Sequence, residues 1–146
     1  MALGRIPTII SPMSDPKPLL RVLVHGWGLS PELACRIIMT RDALRCEGRP
    51  LIFQVISGRR TAEDQAELRR RGRPAAPPDR STHVPCPGSD YATGVDMKPI
   101  PEQQESWILL GTAAESQGLR WGGGTPRIQG IPKDAAHFDL GPKDCG

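Results

Sequence analysis

The sequence predicts a small single-domain α+β fold, a central antiparallel sheet with helices packed on it, and three observations point there. A chain of 146 residues suits one domain, and 38% hydrophobic content is enough for one modest core. Stretches of helical periodicity alternate with short runs of branched apolar residues, in the order helix, strand, helix, strand, helix, strands. Gly 16 and Pro 16 supply turn formers between stretches that are too regular for a disordered chain. Short elements joined by long, shaped loops are expected, and no internal repeat is visible.

Residues 1–18 contain Pro7, Pro12, Pro16 and Pro18 with little periodicity and read as a proline-rich N-terminal arm, leaving 19–146 as the domain. Residues 19–24 are apolar and suit a short helix or a strand. Ser30 then offers an N-cap, Pro31 a first helical residue and Glu32 an acid in the first turn. Leu33, Ile37, Ile38 and Leu44 follow at helical spacing, which predicts a helix over 31–46 stopped by Gly48. The run LIFQVI at 51–56 reads as a buried strand. Thr61 caps the next helix, with Glu63 and Asp64 in its first turn and Ala62, Gln65, Ala66 and Leu68 along it to about residue 71. A loop at 72–78 leads to a strand within 94–98. A third helix over 101–117 turns Trp107, Leu110, Ala113 and Ala114 inward and stops at Gly118. Leu119-Arg120-Trp121, a glycine turn at 122–124 and a last strand near 137–140 complete the chain.

Lys+Arg 19 against Asp+Glu 16 leaves a net charge of +3, densest at 69–73. That cluster reads as a solvated helix end, with cations near the negative pole of the helix dipole. Without interleaved aromatic residues it does not look like a nucleic-acid surface. A mild positive charge also suits an anionic polymer such as a bacterial cell wall. No apolar run approaches the roughly 18 residues of a membrane span. Pro7 and Pro12 interrupt the start where an export signal needs an unbroken apolar stretch, so neither a membrane segment nor an export signal is expected. The four cysteines contain no C-x-x-C pair, against a zinc ribbon or a thioredoxin-type site. Cys35 and Cys46 lie about 16 Å apart along one helix face, too far to bridge, and are expected as buried thiols in a reducing compartment. Cys86 and Cys145 fall in loops, where a bridge between them is allowed but not dictated.

With only three histidines, each needs its own explanation. His83 lies upstream of Asp90 and Asp96, and His137 follows Asp134 by three residues. Imidazole and carboxylate are good zinc ligands, and a catalytic zinc site takes three protein ligands and leaves a fourth position for water. His83, one of the two aspartates and His137 meet that count. A tight turn would hold the Asp134 carboxylate beside the attacking water as a general base. His25, next to Gly26-Trp27-Gly28 and without an acidic neighbour, reads as structural. Trp27 and Trp107 are expected in the core; Trp121 suits either the core or a cleft wall.

Three blocks around these residues resemble, in order, the pattern of the zinc peptidases that cleave bacterial peptidoglycan. These are the D-Ala-D-Ala carboxypeptidases of the VanY type and the phage endolysins that act as L-alanyl-D-glutamate endopeptidases. Ser57-Gly58-Arg59-Arg60-Thr61 with Gln65 resembles S-G-[YF]-R-[ST]-x(3)-Q. Ser81 and His83 with a downstream aspartate match S-x-H-x(2)-G-x-A-x-D in part. Asp134, His137, Phe138 and Asp139 resemble [DE]-x-x-H-[FW]-[DE], and the stretch from Gly118 to Gly122 resembles G-[FL]-x-W-G. Each block alone is weak, and three in register are a strong signal. The resemblance spans about 30–140.

The second block departs from the pattern. Family spacing selects Asp90, but Cys86 and Gly88 stand there for the pattern's Gly and Ala. The stretch ATGVDMKP at 92–99 is similar to the family strand G-x-A-V-D-L-x-P with Gly and Ala exchanged, which favours Asp96 and requires an insertion after His83. A ligand on a strand is better fixed than one in a Pro/Gly loop.

The resemblance implies a hedgehog/D-Ala-D-Ala peptidase-like fold holding one Zn2+ through His83, Asp96 and His137. It implies that Asp134 passes a proton from the attacking water to the leaving amine. Arg60 would bind substrate carboxylate or the developing oxyanion, with Gln65 and Ser81 lining the same substrate site. The implied partner is bacterial peptidoglycan, with other virion proteins if the chain is part of a phage particle, and with no nucleic acid and no membrane. The protein would reside in the host cytoplasm before release, or in the virion, and act on the cell wall. The alternative is a non-catalytic virion, tail or wall-binding module that keeps the zinc fold. The complete set of base and ligands argues against it, because a structural site usually closes its fourth position with protein.

Overall fold

Thr8–Ile10 (β1), Ile52–Ser57 (β2), Gly94–Ile100 (β3), Arg120–Trp121 (β4) and His137–Asp139 (β5) form one antiparallel sheet in the order β1-β2-β3-β5-β4. The helices are Pro16–Arg21 (α1), Pro31–Cys46 (α2), Ala62–Arg70 (α3) and Gln104–Ser116 (α4), and a π-helical turn, Val22–Gly26, continues α1. These elements belong to a computed structural model that describes residues 7–73, 75–124 and 134–146. The architecture is the small α+β domain expected from the alternation of periods.

The sheet has one dry and one wet face. Phe53 and Val55 of β2, Val95 and Met97 of β3 and Phe138 of β5 are fully buried. They share a core with Leu33, Ile37 and Leu44 of α2 and with Leu110 and Ala114 of α4. Each such large side chain contributes roughly 1.5–3 kcal/mol on leaving water. Because strand side chains alternate, Gln54, Asp96 and Lys98 fall on the opposite, partly solvated face. The apolar flanks of Asp96 therefore decide where its carboxylate goes.

Caps set the helix starts as the sequence predicts. The Ser30 hydroxyl accepts from the Leu33 amide (3.2 Å) and the Thr61 hydroxyl from the Asp64 amide (3.0 Å). The third helix starts later than expected, at Gln104, because Gln103 is extended. Close packing of α4 on β4 needs Gly111, where a Cβ would stand 2.3 Å from the Trp121 ring. Trp121 is thereby a core residue, 4% exposed, and its indole donates to the Ala135 carbonyl at 2.7 Å.

Several expectations are corrected. The described part of the proline-rich arm, from residue 7, packs against the domain: β1 pairs with β2, Ile10 is fully buried, and Trp27 donates from its indole to Thr8 (2.7 Å). Buried Arg41 donates to the Ser11 and Ser14 carbonyls and Arg45 to that of Pro12, tying the following turn to α2. Residues 19–24 are helical. Cys35 and Cys46 are exposed, because α2 buries the stripe Leu33, Ala34, Ile37, Thr40, Arg41 and Leu44 and both thiols project from the other side. Trp107 is only half-buried and lies outside the core, while Ser106 takes the inward position. In α3 only Gln65 is buried. Cys86 and Cys145 form a disulfide. After the glycine turn at 122–124, residues 125–133 lie outside the described residues.

Candidate metal centre

Strand register delivers two of the predicted ligands. Asp96 of β3 pairs directly with His137 of β5 on one side and with Ser57 of β2 on the other, so the three side chains share the wet face. His83 arrives from a loop whose main chain is fixed on several sides. The Arg60 amide donates to its carbonyl (2.7 Å), the Ser81 hydroxyl accepts from its amide (3.2 Å), and the amides of Thr93 and Gly94 donate to Thr82 (3.0 and 2.9 Å). Gly94 is required here, since a Cβ would stand 2.0 Å from the Thr82 hydroxyl.

Ligand-type atoms of His83, Asp96 and His137 all lie within 4.8 Å of one another, so the group is able to hold a metal ion. Nε2 of His83 is 3.2 Å from Asp96 Oδ1, and Nδ1 of His137 is 3.4 Å from the same oxygen. The other nitrogens define the tautomers. His83 Nδ1 faces the Gly58 carbonyl at 2.8 Å, and His137 Nε2 faces the Asp139 carboxylate at 2.7 Å. Both partners only accept, so these nitrogens carry the protons. With neutral rings, two imidazole lone pairs and a carboxylate face one another, an arrangement that a shared cation would satisfy. Without a metal that cation is a proton. Burial disfavours charge on His137, but hydrogen bonds to Asp139 and Asp96 outweigh it and push the imidazole up to about 9. Burial likewise opposes the Asp96 anion, yet hydrogen bonds from His137 and His83 hold its carboxyl far below the usual range.

The remaining predicted residues collect around this group. Arg60 donates to Ser57 (2.9 Å), to Gln65 (3.1 Å) and to Asp96 Oδ2 (3.2 Å). Gln65, 1% exposed, stands behind Arg60 and donates onward to the Ala76 carbonyl at 2.8 Å. Ser81 is buried and serves the His83 loop. Asp134 is exposed at the mouth of the cleft. Partial desolvation pushes its carboxyl above the ordinary value, His137 pulls it down, and Asp96 and Asp139 add to the rise. Asp90 lies outside the group, exposed in the loop, where its carbonyl accepts from Arg59 (2.9 Å). His25 is exposed on the π-helical turn and belongs to neither.

Gln65, Ser81, Asp134 and the three ligand-type residues line a cleft of about 400 Å3 together with Arg60, Arg73, Arg80 and Arg120. Arg80, Thr82, Arg120 and Asp139 line the cleft but had no assigned role in the sequence reading. Asp139 was recoverable in part, because it follows His137 by two on a strand and so shares its face. A scan against protein-family models finds none that matches the chain.

Proposed function

We propose that the chain is a zinc-dependent peptidase that hydrolyses an amide bond in the peptide stem of bacterial peptidoglycan. The supporting observation is the convergence of His83, Asp96 and His137 on one point, with Asp134 and Arg60 lining the same cleft. An ion about 2.0 Å from each donor at tetrahedral angles would set the donors about 3.3 Å apart. The separations of 3.2 and 3.4 Å around Asp96 Oδ1 match two such edges, the two imidazole nitrogens lie within 4.8 Å of each other, and two nitrogens with one carboxylate suit zinc. Bound zinc would supply Lewis acidity to the scissile carbonyl and acidify a water.

The chain supplies the rest. Asp134, its carboxyl raised above the ordinary value by partial desolvation, accepts a proton from the attacking water and returns it to the leaving amine. Arg60, fixed by Ser57 and Gln65, presents its guanidinium to a substrate carboxylate or to the oxyanion. Arg60 and Arg120 are paired with Asp96 and Asp139, so Arg73 and Arg80 at the cleft are the arginines that favour a substrate bearing carboxylates, as a wall peptide does. The Cys86–Cys145 disulfide suits work outside a reducing cytoplasm, in keeping with a phage lysin, free or virion-borne, that reaches the wall.

The test is metal content together with product masses from purified peptidoglycan. One zinc per chain and new amide-cleavage termini are expected, with free D-Ala marking a carboxypeptidase and free L-Ala ends an endopeptidase. Asp134→Asn should keep the zinc and lose about 10²–10⁴-fold in rate. A zinc-loaded chain that releases nothing would favour the non-catalytic wall-binding or virion module.

A further inference from the structure

We propose that Asp139 and Arg120 are positioning residues for the metal centre, setting which nitrogen of His137 faces the ion and holding the ring there; this rests on the metal reading of the His83, Asp96 and His137 group. The Asp139 side chain has 0% exposure, so its charge needs compensation at every lone pair. Arg120, its register partner on β4, donates from Nε to Oδ1 and from a terminal nitrogen to Oδ2, each at 2.8 Å. The Gly141 amide takes a second position on Oδ1 at 2.9 Å. These three donors, with the Thr82 hydroxyl 3.5 Å from Oδ2 and 3.3 Å from His137 Nε2, fix the orientation of the carboxylate. Its Oδ2 then has one direction in which to accept from His137, and the 2.7 Å contact puts the proton on Nε2. Nδ1 is left as the metal-facing lone pair.

The two histidines are thus used through opposite nitrogens, each selected by an acceptor behind it. For His83 the selector is a main-chain carbonyl that no substitution removes. For His137 it is a carboxylate whose orientation depends on a side chain from a different strand. An imidazole donating to an oriented carboxylate is a better and more rigid ligand, and loss of such a partner typically weakens metal binding 10–100-fold.

The test measures Co2+ and Zn2+ dissociation constants of the full chain by chelator competition, with the visible absorption of the Co2+ form as a report on ligand geometry. Asp139→Asn and Arg120→Gln should each weaken binding, by about 10–100-fold for the first and less for the second, and change the Co2+ absorption. Arg120→Lys should recover part of the loss, since an ammonium supplies the charge without the fork. Arg120→Lys keeps a positive charge beside the buried carboxylate, so it tests the pairing even if Asp139→Asn or Arg120→Gln does not fold. Wild-type affinity and an unchanged spectrum in the Arg120→Gln chain would overturn the proposal. A wild-type chain that binds neither ion would instead overturn the metal reading on which it rests.

Discussion

Nδ1 of His83 lies 2.8 Å from the main-chain carbonyl of Gly58, and since a carbonyl only accepts, the ring must donate there and turn its Nε2 lone pair toward Asp96. The carbonyl is held in place by tight packing: a Cβ on Gly58 would stand 2.4 Å from the Trp27 carbonyl oxygen. Gly58→Ala must therefore shift this backbone. The expected result is a loss of roughly 1–3 kcal/mol in unfolding free energy by denaturant titration, together with weaker metal binding. A variant with unchanged stability and metal affinity would show that the carbonyl does not position His83.

Asp96 lies between the two histidines on a paired strand, and Asp90 sits in an exposed loop. Asp96→Ala should abolish stoichiometric metal binding, while Asp90→Ala should keep it, as read by elemental analysis of the dialysed proteins. Metal retained by the Asp96 variant would remove it from the ligand set.

In the metal-free protein His137 is raised from an ordinary 6.5 to about 9. Below pH 6.5 both the folded and unfolded chains carry this proton, and the full stabilisation is present. Between 6.5 and 9 the unfolded chain releases it first, so stability falls as pH rises and the contribution is gone above about 9. Denaturation of the metal-free chain across this range should show that decline. Metal competes with the same proton, so its apparent affinity should rise with pH over the same window, by up to about tenfold per unit. A metal-free chain that gains stability from pH 6.5 to 9 would contradict the assigned protonation.

The Cys86–Cys145 bridge joins positions 59 residues apart. On the chain-entropy account, closing a loop of that size contributes about 4 kcal/mol by restricting the unfolded chain. Cys86→Ser, or reduction of the native protein, should lower the unfolding free energy by about that amount. Cys35→Ser, on an exposed helix face, should change it by less than about 0.5 kcal/mol.

Much of this was legible because it is local. Ser30 and Thr61 announce their helices, and the apolar neighbours of Asp96 force its side chain to the opposite face. Asp134 and His137 lie within one turn. What stayed hidden depends on distant partners. β1 has only three residues and no usable alternation; it is a strand because β2 pairs with it. Cys35 and Cys46 were misplaced because α2 buries Thr40 and Arg41, polar residues that periodicity assigns to solvent. Arg41 is satisfied by its neighbour Asp42 and by carbonyls some 30 residues earlier. The pairing of Arg120 with Asp139 likewise exists only once β4 and β5 are in register.

The disulfide also changes the topology of the molecule. Residues 86–145 form a covalent ring that encloses Asp96 and His137, and His83 enters it three residues before the closure. Any single cut in the backbone within that ring leaves one connected molecule that still carries all three ligands. A proteolytic nick between the ligands therefore opens the ring without separating them, and the two pieces part only when a thiol also breaks the bridge.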